Sequence, residues 1–526
     1  MPASDPGSPE NAQPYSLSPE AFRWERSKTN PKVLQRRANG IEAVVGPRHR
    51  NYRGENDPWL IKTLSVCDTP TAKTLSLSLL KKKLEATLLE LRFQHPDLGF
   101  TPFWDDQVIP LIQYTPPKSN EEAFAWAQNA VHVHATPLTA HELRIEIQTK
   151  RNVIDKKPAD SIAVHVIADV IDDNAHLTPG STLYLMMHMN HLYWDGIGCV
   201  MFGGDLLRGL GRNLSIEPTL KFSWGEETKR LPVPILDTLR HGMESAGESF
   251  YKGCEEYDQG FIDVSNSWGL QPKPENKVPS VAFHNFSVSE SKAMITAVKT
   301  ALGPKYTITH LGQAATILAL LKANPPPDTI ETLDFIQPLI LNGRRWVRPE
   351  HVRSYGVCQT GGITAFEDLK SYMVDENDKD AVFQVLKRGT ELAKQYYDKL
   401  LNEPYQLPIG ISVQNTNAST FLASDLSQSQ GMTVPVFISD GVFDVLVPGE
   451  VVDATTGDNV LSVDNIGLFF NQYQPAIVVR LNSWKDASQL TICYNDGSFP
   501  TDEAVAFGKD IAKYMLAFAQ RSLELP

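Results

Sequence analysis

A histidine and an aspartate four residues apart are the side chains of this sequence best suited to acid–base chemistry. They form the pattern His191-x-x-x-Asp195-Gly196 inside a mostly apolar stretch. Histidine is the one side chain whose unperturbed pKa lies near neutrality, so it can take a proton from a hydroxyl, amine or thiol group and return it. The pattern therefore predicts that His191 is a general base.

Asp195 and Gly196 have other uses in such a loop. Asp195 lies too close to His191 in sequence for us to assume that it sits behind the imidazole, and in a tight loop it could instead pair with an arginine. Gly196 would give freedom in φ and a close backbone approach, and its N–H at a helix start could face a developing oxyanion. Chance is the competing explanation, because a lone histidine is more often a structural residue.

The residues on either side favour the catalytic interpretation. An unbroken apolar run from Leu183 to Met187 has the length and composition of a buried strand. From Ile197 onward, apolar residues recur at roughly helical spacing, so the motif lies on a loop between a strand and a helix. His188 falls on the opposite strand face from His191 by the two-residue period, and we interpret it as a hydrogen-bonding residue of the core.

Similar patterns place helices and strands along the rest of the chain. Helices are predicted over Thr71–Gln94, Ser289–Leu302, Thr309–Lys322, Val382–Leu401 and Asp502–Ser522. Strands are predicted over Val108–Gln113, Leu143–Gln148, Ile162–Val170, Leu333–Leu341, Ile409–Gln414, Val434–Ile438, Val442–Val447, Ile466–Phe470, Ala476–Leu481 and Gln489–Tyr494.

These elements predict a mixed α/β fold class with two lobes, since 526 residues are too many for one compact core. We expect a disordered tail (residues 1–18), an N-terminal lobe (19–215), a crossover segment (216–280) and a C-terminal lobe (281–526). The histidine motif falls at the end of the N-terminal lobe.

Composition argues against several function classes. A net charge of −13 disfavours nucleic acid or an anionic membrane surface as the main partner. The five cysteines are scattered, with no CxxC pair and no histidine cluster at metal-ligand spacing, so we expect reduced thiols and no metal. Neither a signal peptide nor an apolar run of about 18 residues is visible, which predicts no membrane span and a cytoplasmic location.

Four segments carry a resemblance to a known group of enzymes. The residues around His191 read NHLYWDG and resemble the HHxxxDG core of the acyl-CoA-dependent acyltransferase superfamily, which includes chloramphenicol acetyltransferase, the BAHD acyltransferases and nonribosomal condensation domains. Upstream, LKKKLEATLLELRFQHPDLGF resembles the early helix of that group with its His-Pro-x-Leu ending. Downstream, THLGQAATILALL resembles its buried second-lobe helix, and LILNGRRW its N-x-R strand end. Within the superfamily the chain resembles the fungal trichothecene 15-O-acetyltransferases.

The resemblance implies a fold and a reaction. The fold would be two chloramphenicol-acetyltransferase-like lobes with the active site in a tunnel between them. The reaction would move an acetyl group from acetyl-CoA to a hydroxyl of a secondary metabolite, a trichothecene intermediate and therefore a terpenoid alcohol. His191 would deprotonate that hydroxyl, which then attacks the thioester. Neither a metal nor a bound redox cofactor is implied, and since one chain holds the whole site, a monomer is expected.

The resemblance also assigns Asp195 a structural role, pairing with an arginine of the second lobe. The N-x-R match makes Arg344 the candidate, with Arg345 second. Alternatively, the two arginines are ordinary surface charges. The sequence departs from the superfamily at Asn190, which stands where the first histidine of HHxxxDG is expected.

The plant DFGWG signature is absent, and Ser439-Asp440-Gly441 and the Ile411–Thr416 stretch lie in that region. Ser439 could line the pocket or supply an oxyanion donor, although a turn explains Asp440-Gly441 equally well. Tyr193 and Trp194, bulky and next to the base, could wall an apolar, rigid acceptor or pack in the core. The candidate substrate-binding residues are Trp194, Tyr193, Asn190, Asn415 and Ser439.

Three other functions stay open. A stand-alone condensation-type enzyme would form an amide, although such domains normally sit in multidomain synthetases, and we expect this chain to stand alone. The enzyme could acetylate a different alcohol. A member that only binds or interacts is the third option, and an intact His191 and Asp195 weigh against it.

Overall fold

The computed structural model describes residues 15, 17–45, 54, 56–105, 109–154, 161–217, 221–243, 246–275, 277–330, 333–423 and 431–524. In chain order the strands are β1 (Glu25–Arg26), β2 (Leu34–Arg37), β3 (Pro58–Val66), β4 (Thr101–Phe103), β5 (Leu111–Tyr114), β6 (Val131–Ala135), β7 (Ile162–Ala168), β8 (Thr182–Met189), β9 (Pro279–Asn285), β10 (Phe335–Asn342), β11 (Gln359–Phe366), β12 (Val436–Val442), β13 (Glu450–Val452), β14 (Asn459–Phe470), β15 (Val478–Trp484) and β16 (Ala487–Asn495).

The helices are α1 (Gly40–Val45), α2 (Leu77–Gln94), α3 (Asn120–Ala130), α4 (Ala140–Ile154), α5 (Gly196–Asn213), α6 (Glu248–Ser265), α7 (Val288–Leu302), α8 (Ile308–Ala323), α9 (Lys379–Asn402), α10 (Gln406–Ala423) and α11 (Thr501–Glu524). Together with the strands they confirm the predicted mixed α/β class. Among the described helices, none is both long and apolar enough to cross a bilayer.

A six-stranded sheet, in the order β13-β14-β3-β8-β7-β6, contains the strand that leads into the histidine motif. The central strand β8 runs antiparallel to both neighbours, β3 and β7. Leu185 and Met187 pack with α2 and α5 on one face, while Met186 packs with α4 on the other. Because both faces are covered, the strand reads as an unbroken apolar run rather than as an alternating one.

A second, four-stranded sheet has the order β12-β15-β16-β9, with β12 and β15 parallel. It shares a core with α7, α8, α9 and α11. Residues 310–321 of α8 are all buried, because that helix lies between α9, α11 and β12. There are also a two-stranded sheet of β10 and β11 and a four-stranded sheet in the order β1-β2-β5-β4 among the described residues.

Strands β13 and β14 belong to the segment that we expected to form the C-terminal lobe, but they complete the six-stranded sheet beside β3. Each of the two large sheets therefore draws on distant parts of the chain. The boundaries expected for the lobes stay predictions, and residues 1–14 and 16 of the expected tail lie outside the described residues.

Each of the five predicted helices corresponds to a helix of the structure. The first begins at Leu77 with Ser76 as N-cap and stops at Gln94, just before His95-Pro96, as a proline in that position requires. Helix α7 begins after a Ser287 capping box and ends at Gly303. The remaining predicted helices correspond to α8, α9 and α11.

Two predicted strands are wrong. Leu143–Gln148 lies inside α4, where Leu143, Arg144 and Gln148 are buried, and the alternation of its apolar residues imitated a strand. Ile409–Gln414 lies inside α10, which packs against α1, α6 and β11 and is apolar because it is enclosed. Short apolar runs do not distinguish a strand from a buried helix.

The other predicted strands differ from the structure in their bounds. Val442 ends β12, so most of Val442–Val447 lies in the loop after it. Strand β5 begins at Leu111, and Val108 lies outside the described residues. Strand β10 runs to Asn342, one residue beyond the predicted end. Strand β3 was not predicted, although it is the neighbour of β8 in the sheet.

Candidate active site

The loop between β8 and α5 is held by short-range hydrogen bonds, with the side chain of Asn190 at its start and that of Asp195 at its end. At its start, Asn190 Oδ1 accepts from the N–H of Leu192 (2.9 Å), and the Asn190 carbonyl accepts from the N–H of Tyr193 (3.0 Å). At its end, Asp195 is the N-cap of α5 and its Oδ1 accepts from the N–H of Gly198 (2.6 Å). A Cβ on Gly198 would lie 1.9 Å from the carbonyl oxygen of Tyr355, so glycine is required there.

His191 is buried in this loop, and its hydrogen bond fixes the tautomer. Nδ1 lies 2.6 Å from the carbonyl oxygen of Trp194. A carbonyl can only accept, so Nδ1 carries the proton and the neutral ring keeps its lone pair on Nε2. The imidazole also lies against Phe470, with ring centroids 4.9 Å apart. His191 therefore presents the unprotonated nitrogen that a general base needs.

Burial lowers the pKa of His191 to about 4, against smaller opposing effects of the Trp194 carbonyl and of the Asp195 and Asp57 carboxylates. Arg480 lowers it further. The imidazole is consequently neutral at physiological pH.

Asp195 connects this loop to the second half of the chain. Its Oδ2 accepts from Nη1 of Arg344 (2.7 Å) and from the N–H of Cys358 (2.8 Å). Arg344 follows the end of β10, and its guanidinium also donates to the carbonyl oxygens of Ser354 (2.9 Å) and Gly356 (3.0 Å). The carboxylate points at these partners, so it does not orient the imidazole as a triad aspartate would.

A second carboxylate, which the sequence gave no reason to select, lies under the start of the loop. Asp57 Oδ1 accepts from the backbone N–H of His191 (3.2 Å), and Oδ2 lies 2.5 Å from Nε2 of His188. His188 is thus a buried hydrogen-bonding residue, as expected. An Asp-Pro pair before an unpredicted strand was the only signal in the sequence, and it is too common to single out Asp57.

A cavity of about 450 Å³ opens beside the imidazole, between the loop and the second sheet. Its lining includes His191, Asp195, Gly196, Arg344, Ser439 and Arg480. Gly196 is the first residue of α5. Its φ is not positive, so the reason for glycine is the close approach: a Cβ would lie 3.2 Å from Leu468 and 3.3 Å from Nη2 of Arg480.

A second buried arginine–aspartate pair lines the same cavity. Arg480 donates from Nε (2.9 Å) and Nη2 (2.5 Å) to the two carboxylate oxygens of Asp440. The guanidinium carbon lies 4.1 Å from the centre of the Phe470 ring, which the His191 imidazole also contacts. Asp440 sits at an irregularity in β12, and Gly441 has a φ of 82°, so the backbone turns here to aim the carboxylate at Arg480.

Ser439 is oriented by a neighbouring hydroxyl. The Thr309 hydroxyl donates to Ser439 Oγ (3.0 Å), so the hydroxyl hydrogen of Ser439 is left to point elsewhere. Ser439 lines the cavity together with His191.

The other four candidate substrate-binding residues are not part of the described cavity lining. Trp194 is fully buried, donates to Ser161 Oγ (2.8 Å) and stacks on Tyr355. Tyr193 packs edge-on against Phe100, and the side-chain oxygen of Asn190 accepts a hydrogen bond within the turn. Asn415 lies on α10, where its backbone faces Gly40 of α1. The bulky pair next to the base therefore packs in the core, the alternative that the sequence had left open.

Arg345 differs from Arg344, because the structure places Arg344 in the buried pair with Asp195 and leaves the Arg345 side chain exposed. Within the described ranges, no group of three or more histidine, cysteine, aspartate or glutamate side chains is arranged to hold a metal ion.

Comparisons with known proteins show the family of the chain. Residues 14–418 match the family model described as 15-O-acetyltransferase Tri3. The trichothecene O-acetyltransferase TRI3 of Trichoderma arundinaceum is 40% identical over 514 residues, covering 96% of this chain and 98% of that protein. The trichothecene 15-O-acetyltransferase TRI3 of Fusarium sporotrichioides is 37% identical over 509 residues, covering 95% and 98%.

Solved structures give the same answer. The structure of TRI3 trichothecene 15-O-acetyltransferase from Fusarium sporotrichioides superposes with a TM-score of 0.92 at 35% identity, covering 97% of this chain and 99% of that one. The epimerization domain of the third module of tyrocidine synthetase B superposes with a TM-score of 0.51 at 14% identity, covering 90% and 93%, which shows the fold alone. The resemblance drawn from the motifs is confirmed.

Proposed function

The chain belongs to the Tri3 family of 15-O-acetyltransferases and is an O-acetyltransferase, and from this we propose that it acetylates the 15-hydroxyl of a trichothecene with His191 as general base. The observation that carries the catalytic assignment is the Nδ1–H bond from His191 to the Trp194 carbonyl. That bond leaves Nε2 unprotonated in a cavity of about 450 Å³.

In the proposed reaction, Nε2 of His191 takes the proton of the acceptor hydroxyl while the oxygen attacks the thioester carbon of acetyl-CoA. The carbonyl electrons move onto oxygen and form a tetrahedral oxyanion. When the oxyanion collapses, the carbon–sulfur bond breaks, and His191 returns the proton to the CoA thiolate. A general base of this kind contributes a rate enhancement of about 10²–10⁴-fold.

The Ser439 hydroxyl is the donor that we propose for the oxyanion. Thr309 already donates to its oxygen, so the Ser439 O–H can be directed into the cavity at little reorganisation cost. The Arg480–Asp440 pair lines the same space as a fixed dipole, with its charge largely compensated within the pair.

Asp195 and Arg344 have no proposed contact with the reacting atoms, although they lie at the cavity edge. Their proposed role is to hold the catalytic loop against β10 and the residues before β11. This assignment gives the motif two separate functions: His191 transfers the proton, and Asp195 holds the loop that positions His191.

Acetyl-CoA is the proposed acetyl donor, and a neighbouring cavity suggests its path. That cavity, of about 280 Å³, shares Ser439 and Gly441 with the first and extends to Lys299 at the surface. Its walls are largely apolar, as a pantetheine arm requires, and Lys299 offers a cation for a phosphate in a protein of net charge −13. We also propose that the enzyme acts as a monomer, because His191, Asp195 and Arg344 come from one chain. The cytoplasmic location expected from the sequence stays a prediction.

The test is an acetyl-transfer assay with purified protein, acetyl-CoA and a trichothecene that bears a free 15-hydroxyl. Released CoA is followed with a thiol reagent, and the acetylated product by mass spectrometry. We expect His191→Ala to lower kcat by about 10²-fold or more. The matched control is His284→Ala, a histidine on β9 away from the described cavity, which is expected to keep wild-type kcat.

The acceptor arm decides the specificity. A trichothecene already acetylated at position 15 is expected to release no CoA above the rate without acceptor. If wild-type protein acetylates other alcohols and leaves the free 15-hydroxyl untouched, the 15-hydroxyl assignment is wrong. If His191→Ala retains wild-type kcat, the assignment of the base is wrong.

A further inference from the structure

Asp57 supports the catalytic histidine from beneath the loop. It lies immediately before β3 and is fully buried. One carboxylate oxygen accepts from the backbone N–H of His191 (3.2 Å), and the other bonds Nε2 of His188 (2.5 Å). The same carboxylate therefore contacts both the His188 side chain near the end of β8 and the backbone of His191.

The surroundings hold Asp57 in that position. His188 stacks on Trp59, with ring centroids 4.3 Å apart and planes 20° from parallel. Trp59 Nε1 donates to Asn471 Oδ1 (3.1 Å), and the backbone N–H of Asn471 donates to the carbonyl of Asp57 (3.0 Å). These bonds hold the carboxylate next to β3, β8 and the end of β14.

The charge of Asp57 has a use during the reaction. When Nε2 accepts a proton, a positive charge forms on a buried ring whose Nδ1 partner is a neutral carbonyl. Among the described residues, the charged groups that act on His191 are Asp195, Asp57 and Arg480; the two carboxylates favour the imidazolium and the arginine opposes it. Asp195 is already bonded to Arg344, and Arg480 to Asp440. Asp57 is hydrogen-bonded to the backbone of His191 itself and to the imidazole of His188.

We propose that Asp57 is a positioning residue for the acetyl transfer, which fixes the backbone of His191 and, together with His188, stabilises the imidazolium formed when His191 takes the acceptor proton. This inference rests on the proposed function, since it requires His191 to be the base. The buried His188–Asp57 pair lies outside the HxxxDG motif. The inference gives this pair a role in the reaction in addition to its packing in the core.

The test variant is Asp57→Asn, which keeps an oxygen for the His191 N–H and removes the charge. We expect kcat about tenfold lower, KM for acetyl-CoA within about twofold of wild type, and the acid limb of kcat/KM displaced by about one pH unit to lower pH. The displacement is downward because losing a nearby anion disfavours the protonated ring.

Asp453→Asn is the matched control. Asp453 is also fully buried, and its carboxylate accepts from the backbone N–H groups of Thr455 (2.7 Å) and Thr456 (3.1 Å) and from the Ser215 hydroxyl. We expect that variant to lose some thermal stability and to keep the wild-type acid limb. If the loss of any buried carboxylate displaced the acid limb, the acid limbs of both variants would be displaced equally.

A second readout does not depend on turnover. In protein labelled with ¹⁵N-histidine, the His191 signal is identified by its loss in His191→Ala, and its titration midpoint is followed in wild type and in Asp57→Asn. We expect a lower midpoint in Asp57→Asn. If wild type proves inactive towards trichothecenes, the proposed function fails, and this midpoint still decides the effect of Asp57 on His191.

Wild-type kcat together with an unmoved His191 midpoint in Asp57→Asn would overturn the inference. If that variant does not fold, the His188 partner replaces it: His188→Gln keeps an amide donor for Asp57 and is expected to retain about half of kcat or more, while His188→Leu should lose about tenfold. Equal kcat and equal acid limbs for His188→Leu and wild type would also overturn it.

Discussion

The catalytic loop is held by a carboxylate at each end, and the two ends are built differently. At its end, Asp195 caps α5 and is bonded to a guanidinium and to two backbone N–H groups. At its start, Asp57 accepts from the backbone N–H of His191 and bonds the imidazole of His188. The first carboxylate ties the loop to the second half of the chain, and the second ties it to its own sheet.

The difference teaches which interactions can respond to the reaction. The charge of Asp195 is compensated by Arg344, which contacts it directly. If a neutral residue replaced Asp195, the Arg344 guanidinium would be buried without its anion. Asp57 bonds the His188 imidazole and the backbone N–H of His191, and its charge favours the protonated form of the His191 ring. We therefore expect damage at the Asp195 end to appear first as instability, and damage at the Asp57 end to appear first in the pH dependence of the rate.

Asp195→Ala is expected to have the largest effect on this comparison. It removes the helix cap and leaves Arg344 buried without its anion, so the free energy of unfolding should fall by about 3–5 kcal/mol. Urea denaturation followed by circular dichroism measures this. A loss below about 1 kcal/mol would show that the two ends of the loop are not distinguished by their charge compensation.

Arg344→Lys should have a smaller effect at the same end. A lysine can keep the ion pair with Asp195, but it cannot reproduce the bonds to the Ser354 and Gly356 carbonyls. We expect a loss of about 1–3 kcal/mol and a fall in kcat without a displaced acid limb. Arg345→Lys, an exposed neighbour, is the control and should match wild type in both measurements.

The pH dependence of the wild type follows from burial of the base. The pKa of His191 is about 4 in the folded chain and about 6.5 in the unfolded chain. Between these values the unfolded chain binds the proton and the folded chain does not, so this contribution to stability is present above about pH 6.5 and is lost as the pH falls towards 4. We expect kcat/KM to stay level from pH 7 to about 5.5 and to fall below; a fall centred near pH 6.5 would contradict the burial of the ring.

Asn190→Ala is expected to have the smallest effect. It removes the bond from Leu192 at the start of the loop, which is worth about 1 kcal/mol, and leaves both carboxylates in place. Thermal unfolding should show a lower Tm, while kcat should change by less than about fivefold. A larger loss of rate than of stability would show that Asn190 has a role beyond the turn.

Sequence reasoning reached the parts of this site that lie close together in the chain. His191 and its strand–loop–helix setting follow from spacing and apolar pattern, and Arg344 follows from resemblance to an N-x-R strand end. The class of the fold and most helices follow from periodicity. All of these signals are local, and each can be read within about twenty residues.

The parts that sequence reasoning missed are set by long-range packing. Asp57 reaches His191 across 134 positions because β3 pairs with β8, and β3 itself was not predicted. The Arg480–Asp440 pair depends on the parallel alignment of β12 and β15. Tyr193 and Trp194 follow the base in sequence, yet the turn directs both into the core, since neighbours in a tight loop point in different directions.

The central claim, that Nε2 of His191 receives the acceptor proton, is tested most directly by a crystal structure of the chain with a bound trichothecene that bears a free 15-hydroxyl. We predict that this hydroxyl oxygen lies about 2.6–3.2 Å from Nε2, while Nδ1 keeps its bond to the Trp194 carbonyl. A hydroxyl bound at Asp195, or a ring turned so that Nε2 bonds the Trp194 carbonyl, would contradict it.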